Sequence, residues 1–289
     1  MKEIDWRILV VLYEKKSMTK AAEALYMTQS ALTKRVRAIE EEWNIEVVRR
    51  SSQGVDFTED GIYLVKKANI MIDFLKEIEH HFNGTAKKDM LKIGVPNSFA
   101  RVHMPQLLMK YLDEYNHLQI RTVSNTSDNI IQHLTSGSID IGIICGDYPY
   151  IGEKVCLLDE EMYMVTPKGM KFDEIAQHTL IESYYNPLVK LMVNQWWQSH
   201  FGEIPQDTYT VTHADIALEM VESGIGVTFV FGSRWKVNEE KLQKLPVYDR
   251  HGNSVSRKVW MMMSDRCFLS PAIMEFVSFV EEYYQVNQV

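Results

Sequence analysis

Thr28–Asn44, TQSALTKRVRAIEEEWN, is the stretch that decides the fold, and it follows almost directly on a shorter helical pattern, Met18–Tyr26, MTKAAEALY. Two helical patterns separated by a turn of about 3–4 residues near an N-terminus are typical of a helix-turn-helix. The second helix of that motif enters the major groove of DNA, so its polar residues should precede its packing residues. This order is present, because Leu32, Val36 and Ile39 recur at helical spacing behind a polar first turn.

The first turns of this second helix carry side chains that can read DNA. Gln29 can pair with the N6 and N7 edge of adenine, and Lys34 can approach O6 and N7 of guanine. Ser30 suits a base or a phosphate, whereas Thr33 and Arg37 are better placed for the DNA backbone, where positive charge provides affinity. The alternative for each residue is a solvated helix surface.

A predicted β-hairpin follows the helix-turn-helix. Two short β-prone runs are joined by a polar loop that contains glycine, which indicates a wing whose Arg50 would track phosphates or the flanking minor groove. Ser17 or Thr19 can cap the first helix of the motif, and both are included as candidate contacts. For Arg35, a DNA contact and a solvated helix surface are about equally supported. The candidate DNA contacts are Ser17, Thr19, Gln29, Ser30, Thr33, Lys34, Arg37 and Arg50.

A long helical pattern opens at Thr58, a candidate N-cap, and runs to about His81. A single apolar stripe without a globular domain to cover it suggests that the helix pairs with a copy of itself. The alternative is a helix that lies on its own domain. The stripe consists of Leu64, Ala68, Met71, Leu75 and Ile78.

Composition restricts the class of protein. The 289 residues carry a formal net charge of −8, which argues against nucleic acid wrapped over the whole surface but not against a local basic patch near the N-terminus. No run of about 18 apolar residues is present, so no membrane contact is expected. The N-terminus lacks the features of a signal peptide. Three scattered cysteines fit a reducing compartment, so we expect a cytoplasmic protein without disulfides.

The second half of the chain alternates between strand and helix patterns. Strands are predicted at 91–95, 118–123 and 139–144, and helices separate them. A second series of alternating patterns begins at Tyr163, and a closing helix covers 270–284. Strand-helix alternation predicts parallel sheets with crossover helices, here in two lobes with a cleft between them.

These residues together resemble LysR-type transcriptional regulators over the full chain. The resemblance departs from the family pattern at Val47-Val48, where the family has Leu-Phe, and at Phe231, where it has Pro. Its N-terminal part rests on Ser17, Ala21-Ala22, Leu25, Gln29-Ser30-Ala31, Thr33-Lys34, Ile39-Glu40, Arg50 and Phe57-Thr58-Glu59-Asp60-Gly61. Its C-terminal part rests on Ser136–Gly142 and Glu222–Val227.

The resemblance implies a fold class and a domain organisation. We expect an α/β protein with a mostly helical winged helix-turn-helix domain at 1–58 and a linker helix with a hinge at 59–89. Residues 90–289 would form a two-lobed, Rossmann-type effector-binding domain similar to periplasmic binding proteins. Lobe I would span about 90–162 and 265–289, and lobe II about 163–264. The implied partners are a double-stranded DNA operator, a small-molecule effector, and the chain itself in a homodimer or homotetramer.

The resembled family binds its effector between the lobes, and strand ends indicate where. Ligands of open α/β sheets collect beyond the carboxyl ends of strands, and helix N-termini there attract anions. The resemblance, more than these strand ends, implies that the effector is a small anionic or zwitterionic metabolite. Helix capping is the alternative for each hydroxyl, and a structural role is the alternative for the histidine. The candidate effector-binding residues are Asn97, Ser98, Phe99, Asn125, Thr126, Thr166, His213 and Phe229.

An enzyme is not expected. The sequence contains no Gly-x-Ser-x-Gly, Walker loop or His-Glu-x-x-His, so neither a common nucleophile nor a zinc or other cofactor site is predicted. The acidic run Asp159–Glu161 is interpreted as a solvated edge. Two other functions stay open: a DNA-binding regulator without a small-molecule effector, and a cytoplasmic solute-binding sensor.

Overall fold

The computed structural model describes residues 1–51, 54–82, 89–115, 118–183 and 187–286. The tip of the predicted wing at 52–53 and most of the predicted hinge, 83–88, lie outside these residues. Among the helices described, none combines the length and apolar character needed to cross a membrane.

The N-terminal domain is a winged helix-turn-helix, as predicted. Three helices pack around Leu32 and Val36, which are buried at the predicted positions of the second motif helix. Ala21 and Ala22 are also buried, which lets the motif helices approach closely. The elements are α1 (Glu3–Lys15), α2 (Met18–Ala24), α3 (Gln29–Trp43), and the antiparallel hairpin β1 (Val48–Ser51) and β2 (Gly54–Phe57).

The long helix α4 (Glu59–Phe82) begins where the sequence predicts. The Thr58 hydroxyl accepts a hydrogen bond from the Gly61 N–H at 3.0 Å, so Thr58 caps the helix. Leu64 and Ala68 of the predicted stripe are buried against α1, whereas Met71 and Ile78 are exposed. The two halves of the stripe therefore differ. The first half packs on the N-terminal domain of its own chain, and the second half is exposed.

In the C-terminal half of the chain, the described residues form nine strands in one mixed sheet, in the order β4-β3-β5-β11-β6-β9-β7-β8, with β10 paired to β6. The strands are β3 (Asp89–Pro96), β4 (Leu118–Asn125), β5 (Ile141–Cys145), β6 (Lys154–Pro167), β7 (Leu180–Glu182), β8 (Thr208–Thr210), β9 (Val227–Phe231), β10 (Leu242–Pro246) and β11 (Ser256–Met263). The helices are α5 (Asn97–Val102), α6 (Met104–Glu114), α7 (Ser127–Thr135), α8 (Pro187–Phe201), α9 (Ala214–Glu222) and α10 (Pro271–Val286).

The strand β6 belongs to both lobes. Its first half pairs antiparallel with β11, and its second half pairs antiparallel with β9 and β10. The sequence predicts only the second half of β6 and omits β10. The prediction of parallel sheets is also wrong in part, because β11 runs antiparallel to both β5 and β6.

The boundary between the lobes needs one correction. The sequence places residues up to 264 in lobe II, but β11 lies between β5 and the first half of β6 and so belongs to lobe I. One helix predicted from Asn97 to Tyr115 is also two helices, because the backbone breaks at His103 between α5 and α6.

We predict that Gly61→Ala destabilises the N-terminal domain. A Cβ at Gly61 would overlap the backbone carbonyl oxygen of Val47, so α4 must move away from the wing. We expect a loss of about 3 kcal/mol in the free energy of unfolding, as for overpacked sites. The matched control is Gly169→Ala, where no atom lies within contact range but φ is +82°. That variant should lose only about 1 kcal/mol. Urea unfolding followed by circular dichroism measures both, and equal losses would contradict the clash.

Candidate DNA interface and effector cleft

The N-terminal end of α3 presents a polar surface to solvent. The Thr28 hydroxyl accepts a hydrogen bond from the Ala31 N–H at 3.2 Å and so caps the helix. Gln29, Ser30 and Lys34 are exposed beyond this cap. Arg37 is exposed one turn later, and Thr33 is half-buried. The side chains that the sequence assigns to base reading therefore stand together on one accessible helix end.

The two candidates at the start of α2 make hydrogen bonds within the protein. The Ser17 hydroxyl accepts a hydrogen bond from the Lys20 N–H at 3.4 Å and caps α2. The Thr19 hydroxyl donates to the Gln29 side-chain oxygen at 3.5 Å, a contact that orients Gln29 on the exposed surface. The side chain of Arg50 lies outside the described residues.

Arg35 has a structural role. Its Nε donates to Asp5 Oδ1 at 2.8 Å, and its Nη2 contacts the same oxygen. Asp5 is only 3 % exposed and also accepts a hydrogen bond from the Lys2 N–H at 2.6 Å. This ion pair joins the start of α1 to the middle of α3, so it fixes the direction of the helix that carries the polar surface.

A cleft of about 490 Å³ lies between the two lobes. Five of the eight predicted effector residues line it: Asn97, Ser98, Asn125, Thr126 and His213. Ser127, at the same strand-to-helix turn as Asn125 and Thr126, also lines the cleft. Further lining residues that the sequence analysis did not select include Arg101, Cys145, Ser183, Asp215, Trp235 and Arg257. Burial raises the pKa of the Cys145 thiol to about 12, so this part of the lining is a neutral thiol at physiological pH.

Three predicted effector residues lie elsewhere. Phe99 is buried in the lobe I core and stacks on His103 with ring centroids 4.7 Å apart. Phe229 packs edge-on against Trp196 in the lobe II core, with centroids 5.4 Å apart. Thr166 is fully buried, and its hydroxyl accepts a hydrogen bond from Gln243 Nε2 at 2.9 Å. None of the three lines the cleft, because each points into the packed interior.

Some contacts between the lobes are made by residues that line the cleft. Asn97 Nδ2 of lobe I lies 3.4 Å from His213 Nδ1 of lobe II. Arg101 Nη1 of lobe I lies 2.6 Å from Asp215 Oδ2 of lobe II. A ligand that enters the cleft therefore meets groups already engaged with each other, so its binding can alter the contact between the lobes.

A buried ion pair lies where β6 passes from one lobe to the other. Arg257 Nε and Nη2 donate to Glu160 Oε2 at 3.0 and 2.8 Å, and the other Glu160 oxygen lies 3.2 Å from His103 Nε2. Burial alone would raise the pKa of Glu160, but Arg257 and His103 more than offset it, so the pKa lies below its usual value. Glu160 is thus a buried anion rather than part of a solvated edge.

A second cavity, of about 260 Å³, separates the N-terminal part of the chain from lobe I. Residues of α1 and α4 line one side and residues of α7 line the other, and Asn125 lines both this cavity and the cleft. At this cavity, Asn69 Nδ2 donates to the Ser136 carbonyl at 2.8 Å. One turn farther along α4, Asp73 pairs with Arg266 at 2.5 Å. The effector half thereby contacts the long helix directly. In the part of the chain that the structure describes, no group of three potential metal ligands occurs.

In comparisons with known proteins, the N-terminal and C-terminal parts of the chain match two different family models. Residues 85–285 match the family model of the LysR substrate binding domain, and residues 5–62 match that of the bacterial regulatory helix-turn-helix protein, lysR family. The chain is similar to the HTH-type transcriptional regulator YraN of Bacillus subtilis (strain 168), with 25% identity over 283 residues that cover 97% of this chain and 98% of YraN.

Two solved structures share the fold. Full-length LysG from Corynebacterium glutamicum, with bound effector Arg, has a TM-score of 0.65 at 16% identity and covers 98% of this chain and 97% of its own. Full-length CbnR complexed with its target DNA has a TM-score of 0.51 at 18% identity and covers 98% of this chain and 99% of its own.

We predict that Glu160→Gln lowers stability at neutral pH. The change leaves the Arg257 guanidinium without its charged partner, and loss of one member of a buried pair costs about 3 kcal/mol. The pKa of Glu160 is lower in the folded state than its usual 4.5. The contribution is therefore complete above pH 4.5 and is lost as the pH falls through the lower, folded-state value.

Unfolding by urea at neutral pH and at a series of acidic values measures this difference. The difference between wild type and Glu160→Gln should shrink only below the usual glutamate pKa. Glu161→Gln, at the exposed neighbouring position on β6, is the control and should change little. A Glu160→Gln protein as stable as wild type at neutral pH would disprove the assignment.

Proposed function

This chain belongs to the LysR family of DNA-binding transcriptional regulators, and from that premise we propose how it reads DNA and which part of it receives the effector. The observation that carries the proposal is the pairing of one exposed polar helix end with one cleft lined by both lobes. The chain would act as a cytoplasmic regulator and catalyse no reaction of its own.

The DNA-reading step is assigned to the N-terminal end of α3. Gln29, Ser30 and Lys34 would reach base edges, and Arg37 would contact phosphates. Their exposure supports this role, and so does the buried Asp5–Arg35 pair that fixes the direction of α3. The structure of CbnR complexed with its target DNA supports the same use of the shared fold.

Two chains would pair through the uncovered half of α4. Met71, Phe74 and Ile78 of that half are exposed, and Phe74 is 54 % accessible. Apolar side chains at helical spacing on an uncovered helix favour a helix partner, and a second copy of α4 supplies one. The pair would place two recognition helices on the two half-sites of an operator. Further assembly to a homotetramer would use the edges of the effector domains, where β4 and β8 are exposed.

The effector would occupy the cleft between the lobes. Ser98 and Thr126 of lobe I and His213 of lobe II line it together, so one small molecule can contact both lobes. Hydroxyls and mixed charges in the lining suit an anionic or zwitterionic metabolite. The LysG structure with bound arginine supports an effector of amino-acid size in this fold.

The signal would travel from the cleft to α4 through lobe I. Asn125 lines both cavities, and its side-chain oxygen accepts hydrogen bonds from the Thr126 N–H at 2.8 Å and from Asn129 Nδ2 at 2.9 Å. Asn129 faces the cavity beside α4. A ligand can shift the domains only if it binds their two arrangements unequally. Changes in the Asp73–Arg266 contact between α4 and lobe I would supply that difference in affinity.

We predict that Lys34→Ala weakens operator binding without loss of stability. The side chain is exposed, so its removal leaves the fold intact but deletes a base or phosphate contact worth about 1–3 kcal/mol. Mobility-shift titration at fixed salt, with a DNA site selected from a random pool by the wild-type protein, measures the change. Lys236→Ala, an exposed lysine of lobe II, is the charge-matched control and should bind as wild type. Unchanged affinity of Lys34→Ala would remove Lys34 from the interface.

We predict that Ser98→Ala weakens the response to the effector. A thermal-shift screen of the full chain against amino acids, organic acids and nucleotides would first identify ligands that raise the melting temperature. Binding to the folded state stabilises it by about 2.7 kcal/mol at a hundredfold excess over the dissociation constant. The shift should shrink in Ser98→Ala and persist in Ser233→Ala, an exposed serine outside the cleft lining. A full shift in Ser98→Ala would count against the cleft, and a screen without ligands would favour a regulator without an effector.

A further inference from the structure

We propose that Arg257 is the anchor for the effector and that the effector is therefore a carboxylic acid. The proposal rests on the proposed function, in which the cleft receives the effector, and it adds the chemical group that the cleft recognises. Among the charged side chains that line the cleft, Arg101 and Asp215 already pair with each other across the lobes. Arg257 is the lining cation whose partner lies beneath the cleft rather than in it.

The position of Arg257 follows from strand pairing. It stands on β11 directly opposite Glu160 on β6. Because β11 runs antiparallel to β5, Arg257 lies beyond Cys145, at the carboxyl end of β5. Ligands of open α/β sheets collect at such strand ends. Ser127 and Cys145 line the same part of the cleft, so a carboxylate beside Arg257 would also have a hydroxyl within its surroundings.

The guanidinium of Arg257 is held in one orientation. Both described bonds to Glu160 end on the same oxygen, Oε2, and the guanidinium carbon lies 4.2 Å from the centre of the Phe231 ring. Those bonds use two of the five N–H donors that a guanidinium carries. The side chain is 12 % exposed and lines the cleft, so part of it borders the space that a ligand would occupy. A preorganised donor loses little entropy when it binds.

The ion pair does not cancel the attraction for an anion, because its two ends face different surroundings. Glu160 is 5 % exposed and is turned toward His103 in the interior. Arg257 is on the cleft side of the pair. The cleft therefore meets the positive end of a fixed dipole in a partly desolvated site, where such interactions are stronger than in water. One guanidinium beside neutral hydroxyls matches the single charge of a carboxylate better than the higher charge of a phosphate ester.

Arg257 also connects the ligand to the arrangement of the lobes. It belongs to lobe I, but the ring on which it stacks, Phe231, ends the strand β9 of lobe II. Gly232, the next residue, lies beside Glu160. A carboxylate bound to Arg257 would therefore act on the junction of the two lobes, which gives the ligand unequal affinity for two lobe arrangements.

The test uses paired probes on the full chain. Amino acids and organic acids are each screened beside their own primary amide, and the affinity of each responding compound is measured by calorimetry. The proposal expects acids to bind and their amides to fail. Arg257→Gln should weaken acid binding by about tenfold or more, the effect of losing a hydrogen bond to a charged group. Arg250→Gln, an exposed arginine in a turn of lobe II, is the matched control and should retain wild-type affinity.

Two further variants keep the result interpretable. Arg257→Gln leaves Glu160 without its cation, so the double variant Arg257→Gln/Glu160→Gln replaces the ion pair by two neutral amides of similar shape. This folded double variant should still lose acid binding. Arg257→Lys retains the charge without the planar fork and should retain part of the affinity.

The outcomes separate this proposal from the function on which it rests. Acid binding at wild-type affinity in the double variant would overturn the anchor. Equal binding of acid and amide that Ser98→Ala still abolishes would overturn the anchor and leave the cleft as the effector site. Acid binding that depends on neither Ser98 nor Arg257 would overturn both, and a panel without any binding acid would count against the carboxylate.

Discussion

The strand β6 is the constraint on which the effector half depends. One lobe uses its first half and the other lobe its second half, so the lobes are joined by continuous backbone hydrogen bonds rather than by a flexible crossing. Glu160 lies next to the point of transition and pairs with Arg257 on the neighbouring strand. Any change in the angle between the lobes must therefore bend this strand or rearrange the polar groups around it.

The DNA-reading half depends on a comparable buried pair, Asp5 with Arg35, which fixes α3 against α1. Between the two halves, α4 contacts both the N-terminal domain and lobe I. Its first turns complete the apolar core of the N-terminal domain, and polar residues farther along, such as Asn69 and Asp73, contact lobe I. Packing holds the helix to the DNA-binding domain, whereas polar contacts hold it to the sensor. Polar contacts exchange more readily than packed apolar surfaces, so under the proposed function a ligand would act on the interface between α4 and the sensor.

Local patterns in the sequence predicted the winged helix-turn-helix, the start of α4 and most helices of the lobes, because helical periodicity and capping are local signals. The cleft was predicted only in part. Strand ends indicated Ser98 and Thr126, and both line the cleft in the structure. Phe229 lies in the core instead, because both faces of its strand are buried and the strand shows no alternation. Arg257 was missed because its partner Glu160 lies 97 residues away along the chain. From the sequence alone, the acidic run Asp159–Glu161 shows no sign of burial, because its cation Arg257 is distant along the chain.

The return of the chain to lobe I also has a consequence for biosynthesis. The inner strand β11 and the covering helix α10 come from the end of the sequence, although they complete a sheet begun by β3. The N-terminal domain, whose contacts are local, emerges from the ribosome long before these last elements are synthesised. Domains fold as they emerge, whereas distant strand pairs must wait for their partners. During synthesis the nascent chain therefore passes through a period in which its N-terminal domain can fold while the sheet of lobe I is still incomplete.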